Sequence, residues 1–273
     1  MKKTLIIFLT VVLTLTMFSS CGDSNRPQTE TTTGKPTPPE ININIGEGGN
    51  MDNDLDINED TTFDDIIASI PSKDGYVFAG WYSDKDLTDY IIPDYITTTQ
   101  YKKGTAYAKW IDPSPVSYDV RSNTVTITDS GRAKQHMDKI EMSRDFDVLD
   151  LERAGYSSLK VKVSLKIREV DDGNQYVFIY KDSACASKEL SLMEIYDTYV
   201  FGEPPAEDPS LLYMHHYEHG AGKKNTSWET VTFEVVLDID NLREDLYLRY
   251  GASGKSNDDW CNSDVKVTIT PVK

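Results

Sequence analysis

Over most of this chain, apolar and polar residues alternate with the two-residue period of half-buried β-strands. The clearest run is Leu159, Val161, Val163, Leu165 and Ile167, interleaved with Lys160, Lys162, Ser164, Lys166 and Arg168. Asp171-Asp172-Gly173-Asn174 then reads as a turn and residues 175–180 as the returning strand of a hairpin. A second hairpin is expected where residues 116–120 and 124–128 flank Arg121-Ser122-Asn123. Further strands are expected at 211–219, 228–237, 246–250 and 265–270. So many short strands with hardly any helix predict a β-sandwich of jelly-roll type over residues 112–273. Asp112-Pro113-Ser114-Pro115 forms a stiff linker at its start.

Ahead of the linker the pattern changes. Ile41, Ile43 and Ile45 alternate with asparagines and stop at Gly46-Glu47-Gly48-Gly49, a short strand. Phe63, Ile66 and Ile67 have helical spacing, with Thr62 as a cap and Asp64 and Asp65 at the positive end of the dipole. Residues 74–82 read as a strand whose parity places Tyr76, Phe78, Gly80 and Tyr82 on one face and Val77 and Trp81 on the other. So small a domain needs large rings to bury enough surface. Tyr76, Phe78, Trp81, Tyr107 and Trp110 are therefore read as core; an aromatic platform for sugars is the alternative.

The run Gly75-Tyr76-x-Phe78-x-Gly80-Trp81-Tyr82, followed by Tyr107-Ala108-Lys109-Trp110, resembles the internalin-type B repeat, or Listeria–Bacteroides repeat. That resemblance implies a small β-grasp-like module over residues 40–111, of a kind found in bacterial surface proteins and associated with stalks and adhesion. This chain has one copy, an acidic first half and an insertion, Tyr90-Ile91-Ile92-Pro93. The linker implies that 40–111 and 112–273 fold separately, with little contact between them.

The N-terminus carries Met1-Lys2-Lys3 and an apolar run over residues 5–18, too short for a membrane-spanning helix. It ends in Phe18-Ser19-Ser20-Cys21-Gly22, which resembles a bacterial lipobox with Phe18 in place of the usual leucine. The resemblance implies that residues 1–20 are a lipoprotein signal peptide and that Cys21 is acylated, which anchors the exported protein to the bacterial membrane or cell surface. Two or more acyl chains are what stable anchoring requires. The alternative is an ordinary secretory signal that leaves a free thiol. Residues 21–39, rich in Thr and Pro, form a solvated tether.

Charge narrows the partners. The chain has 45 acidic and 28 basic residues, net −17; loss of residues 1–20 removes Lys2 and Lys3 and leaves −19. Nucleic acid is excluded as a partner, since phosphate would be repelled. The membrane is reached through the lipid at Cys21, not through head-group attraction.

Little in the sequence points to catalysis. The parity of a strand would set His215 and His219 on one face about 13 Å apart and His216 on the other, which does not fit one zinc ion. The acidic run 54–60 lacks the glycine of a calcium loop. No nucleophile elbow, His-Glu-x-x-His run or phosphate loop occurs, so no catalytic residue, metal or cofactor is assigned. Cys185 and Cys261 form either a disulfide or two free thiols. The loop from Gly251 to Trp260 combines glycines, Asp258, Asp259 and Trp260 beside Arg249 and Tyr250. These five side chains are the candidate edge for a carbohydrate or protein partner, unless Trp260 caps the core. The function expected is non-enzymatic binding or adhesion at the cell surface. The competing reading is a carbohydrate-active hydrolase, or its accessory module, with its carboxylates on the sandwich.

Overall fold

The alternating run at 159–167 becomes an eleven-residue strand whose apolar side chains are at most 2% exposed. In the computed structural model, residues 41–51, 63–92, 104–127, 136–170, 174–183, 210–218, 226–242, 245–253 and 260–273 are described. The C-terminal strands are β6 (Val116–Arg121), β7 (Val125–Ile127), β8 (His136–Ile140), β9 (Ser158–Arg168), β10 (Asn174–Tyr180), β11 (Leu211–Glu218), β12 (Glu229–Asp238), β13 (Leu246–Ser253) and β14 (Trp260–Val272). One sheet has the order β12-β9-β14-β6, with β7 also on β14; the other has β11-β10-β13-β8. All these pairings are antiparallel. Counting β6 with β7 as one edge, eight strands wind through two sheets in the order of a jelly roll, as the pattern predicts.

Both expected hairpins are absent, and the jelly-roll winding explains why. β9 pairs with β12 and β14, whereas β10 lies in the opposite sheet between β11 and β13. Between β9 and β10 the chain therefore passes from one sheet to the other. β6 and β7 do not face each other; both run along β14, Val116 opposite Ile269 and Ile127 opposite Trp260. Long ladders to distant strands win because they bury two apolar faces against each other, which an isolated hairpin cannot do. Leu159, Val161, Val163 and Leu165 thus meet Val177, Ile179, Leu246 and Leu248 across the sandwich in one cluster.

The N-terminal module has a three-stranded sheet. β1 (Ile41–Asn44) is parallel to β5 (Gly104–Ile111), and β4 (Val77–Tyr82) is antiparallel to it. β2 (Gly49–Asn50) pairs with β3 (Ser72–Lys73). Helix α1 (Phe63–Ala68) lays Ile66 and Ile67 against Trp81, Ile91, Ala106 and Ala108.

Strand parity fails inside β4. The register shifts between Phe78 and Gly80, a β-bulge in which Gly80 takes φ +117°. A β-carbon at Gly80 would overlap the ring of Tyr90, so only glycine serves there. The bulge puts Phe78 and Trp81 on one face, their rings edge to face at 5.2 Å, and turns Tyr82 the other way. Of the five rings expected in the core, Trp81 is buried and Phe78 and Trp110 pack beside it. Tyr76 precedes the strand and is 44% exposed. Tyr107 alternates with Ala106 and Ala108 and so leaves that core.

The expected lack of contact between the two parts is also corrected. Ala79, with no exposed surface, belongs to the sandwich cluster, and Val77 and Ile111 pack against it. Pro38–Lys273 accordingly forms one compact unit.

Candidate functional site

Where module and sandwich touch, a short helix supplies the charges. Asp147 accepts hydrogen bonds from the backbone N–H of Leu149 and Asp150 and so caps α2 (Val148–Arg153). One turn of this helix then sets Asp150 and Arg153 on the same side, facing β4 and β5. Asp150 is 1% exposed. Its carboxylate accepts from the Tyr82 hydroxyl at 2.6 Å and from Arg153 Nη1 at 3.0 Å, and pairs with Lys109. Arg153 Nη1 also donates to the Tyr82 oxygen at 2.7 Å. Burial, and then the Asp150 carboxylate, hold the Tyr82 phenol well above its ordinary pKa. Two residues of the module and one of the sandwich thus share one buried carboxylate.

Beside this cluster opens a groove of about 640 Å³, within the roughly 300–1,000 Å³ range of small-ligand sites. Tyr76, Phe78, Trp81, Tyr90 and Trp110 line it. Local structure holds each ring in place. Trp81 Nε1 donates to the Ser69 carbonyl at 3.4 Å and Trp110 Nε1 to the Ile45 carbonyl at 2.9 Å. The Asp84 carboxylate gathers the N–H groups of Asp86, Thr88 and Asp89, and that of Asp89 foremost lowers its pKa. This turn brings Tyr90 back beside Tyr82, ring centroids 5.5 Å apart. The charged lining consists of Lys73, Asp74, Arg153 and Lys273.

Of the candidate edge read from the sequence, the three described side chains, Arg249, Tyr250 and Trp260, are buried. Alternation along β13 puts Arg249 and Tyr250 on opposite faces of the sheet, and both are buried, at 1% and 0% exposure. Tyr250 points between the sheets, where its hydroxyl donates to Asp138 at 2.8 Å and the Arg121 guanidinium lies 5.4 Å from its ring. Trp260, 2% exposed, opens β14 and packs 6.2 Å from the Tyr250 ring. It is therefore a core side chain and not an exposed stacking face. Asp258 and Asp259 lie outside the described residues, as do Cys21 and Cys185. Cys261 carries a free, buried thiol, so the alternative of unpaired thiols is the one found for it.

His215 and His216 do take opposite faces of β11. His215 stacks on Phe233 across the sandwich at 4.2 Å, and His216 on Tyr176 at 4.9 Å. Burial, with His216 second, lowers the His215 pKa. His219 lies outside the described residues, and among those described no cluster of three metal-ligating side chains occurs.

Lys73, Arg153 and Lys273 carried no signal in the sequence, because a lone cation ending a two-residue strand, in a short helix or after the last strand marks no pattern. Helix α2 is missing from the expected elements although a signal exists: Asp147, three residues ahead of Asp150, precedes the apolar Val148 and Leu151.

β4 and β5 thus pair around the bulge at Gly80 and carry Phe78, Trp81, Tyr82, Tyr107 and Trp110 of the aromatic motif. Residues 44–109 match the family model of the Listeria-Bacteroides repeat domain. Domains of this repeat occur in surface proteins. The match spans the module and does not extend to the sandwich. A comparison with curated protein sequences finds no match. Among solved structures, the chain is similar to infectious bursal disease virus, Gt strain, at TM-score 0.31 and 12% identity over 57% of this chain and 32% of that one. It is similar to the VP2 subviral particle of the same virus at TM-score 0.32 and 12% identity, over 60% and 35%. A Stig cyclase, Fisc from Fischerella sp. TAU, gives TM-score 0.28 and 9% identity over 59% and 87%. The chain thus spans about a third of the viral chains. The jelly-roll assignment rests on this chain's own strand order.

Proposed function

We propose that this chain is a lipid-anchored, non-enzymatic binding protein of the bacterial cell surface, and that it takes a saccharide in the groove beside the repeat. The groove carries this reading. Sugars present hydroxyls around a ring with an apolar C–H face, and five aromatic side chains converge on one concave site whose outermost ring, Tyr76, is 44% exposed. Glycoside hydrolysis takes two carboxyl groups, about 5–9.5 Å apart. Among the described residues, Asp74 is the one carboxylate side chain lining this groove, which favours binding over cleavage.

Surface association through the repeat fits an anchor at Cys21, since among the described residues no helix is long and apolar enough to cross a membrane. Cys21→Ala should release the protein from the membrane fraction or leave an unprocessed precursor. Unchanged processing and detergent partitioning would remove the anchor from this reading. For the groove, the test is a glycan array probed with the purified protein and with Tyr76→Ala. An exposed stacking ring contributes to binding and little to stability, so the variant should lose its array signal by about tenfold with its melting temperature unchanged. Equal signals from both proteins would place any glycan site elsewhere.

A further inference from the structure

We infer that the saccharide taken by this groove is acidic, one that carries uronate carboxylates; this deepens the groove reading above and rests on it. The chain as a whole repels anions, with 45 acids against 28 bases. The described lining of the groove differs: it holds three cationic side chains, Lys73, Lys273 and the Asp150-paired Arg153, and one carboxylate side chain, Asp74. Two of these cations have no carboxylate partner among the described residues. The Lys73 ammonium rests 4.4 Å from the centroid of Tyr76, and that of Lys273 lies 5.3 Å from the centroid of Tyr156. The Arg153 guanidinium lies 3.9 Å from the centroid of Tyr90 while one of its nitrogens holds Asp150.

In a chain this acidic, a groove lined by two lysines with no carboxylate partner among the described residues is where an external anion meets least repulsion. Their placement on aromatic faces adds a geometric constraint. The Lys73 ammonium covers one face of Tyr76, and a pyranose whose C–H face packs on the exposed remainder of that ring brings its substituents to the rim where the ammonium sits. A uronate supplies what that position selects, because its carboxylate is carried on the ring itself. Charge-assisted contacts of this kind are short and stronger than those a neutral hydroxyl makes. Aromatic surface and cation then read two features of one sugar residue.

The test uses the full-length protein in detergent and follows tryptophan fluorescence and heat of binding. The probes are oligogalacturonate and oligoglucuronate, each beside its methyl ester, which keeps the ring and removes the charge. At least one acid should bind about tenfold more tightly than its ester, and that advantage should shrink as salt rises from about 50 to about 500 mM. The double variant Lys73→Gln/Lys273→Gln should abolish the advantage and leave the melting temperature unchanged. Esters that bind as well as the acids would overturn the acidic assignment and leave the groove as a neutral-sugar site. No binding of either acid or either ester would overturn it too; the array comparison with Tyr76→Ala then decides separately whether the groove binds any sugar. An acid preference that survives the double variant, or equal binding of an oligoglutamate peptide, would also overturn it.

Discussion

Asp150→Asn should lower the stability of this protein by about 3 kcal/mol, the low end of the range for removing one partner from a buried ionic cluster. The carboxylate is 1% exposed and serves Tyr82, Lys109 and Arg153 together. Asparagine keeps the shape but leaves two cations facing each other without a counter-charge. The cost stays at the low end because the Lys109 and Arg153 side chains, 22% and 28% exposed, can turn toward water. Tyr82→Phe removes one hydrogen bond and should cost about 1 kcal/mol. Because Asp150 joins the module to the sandwich, its loss should also split a single unfolding transition into two. Urea unfolding followed by tryptophan fluorescence checks both points. A variant within about 0.5 kcal/mol of the parent, as for an ordinary surface substitution, would show that the cluster does not couple the two parts.

Trp260→Ala should be comparably severe, at about 3–5 kcal/mol. The ring fills the sandwich interior beside Tyr250 at 2% exposure, and the cavity left by alanine would lie between two sheets whose backbones are fixed by their ladders. Trp260→Phe separates the contribution of packing from that of the indole N–H. Nε1 is buried and has no hydrogen-bond partner among the described residues, so phenylalanine gives up volume but no polar contact there and should cost well under half as much. Thermal unfolding of the two variants decides the matter. A small loss in Trp260→Ala, with saccharide affinity reduced, would return Trp260 to the binding surface.

The strands of this protein were largely legible, because alternation follows from the pleat and needs no tertiary information. That holds for β9, β10, β12 and β13. β8 and the first five residues of β14 were not, since Asp138 and Asn262 are buried polar residues at interior-facing positions. Arg121 reaches both from elsewhere in the chain, bonding the Asp138 carboxylate and the Asn262 carbonyl at 3.0 and 3.1 Å. A polar residue paired in this way breaks the pattern that would reveal its strand.

The candidate site was less legible than the fold. The stretch 249–260 gathers sugar-like chemistry in the sequence, but parity and burial set its described members Arg249 and Tyr250 on two faces of a sheet and Trp260 in the core. The groove does the reverse, drawing Lys73, Tyr90, Arg153 and Lys273 together from four separate segments.

By itself the sequence determined the class of fold, the repeat module, the alternation that makes most strands and the net acidity, since each depends on neighbouring residues or on composition. The tertiary structure alone decided which strands pair, how the bulge at Gly80 reassigns Phe78, Trp81 and Tyr82, and that Asp150 locks module to sandwich. Those outcomes depend on apolar faces and buried charges finding partners tens to more than a hundred residues away, and no local pattern encodes which partner buries the most surface.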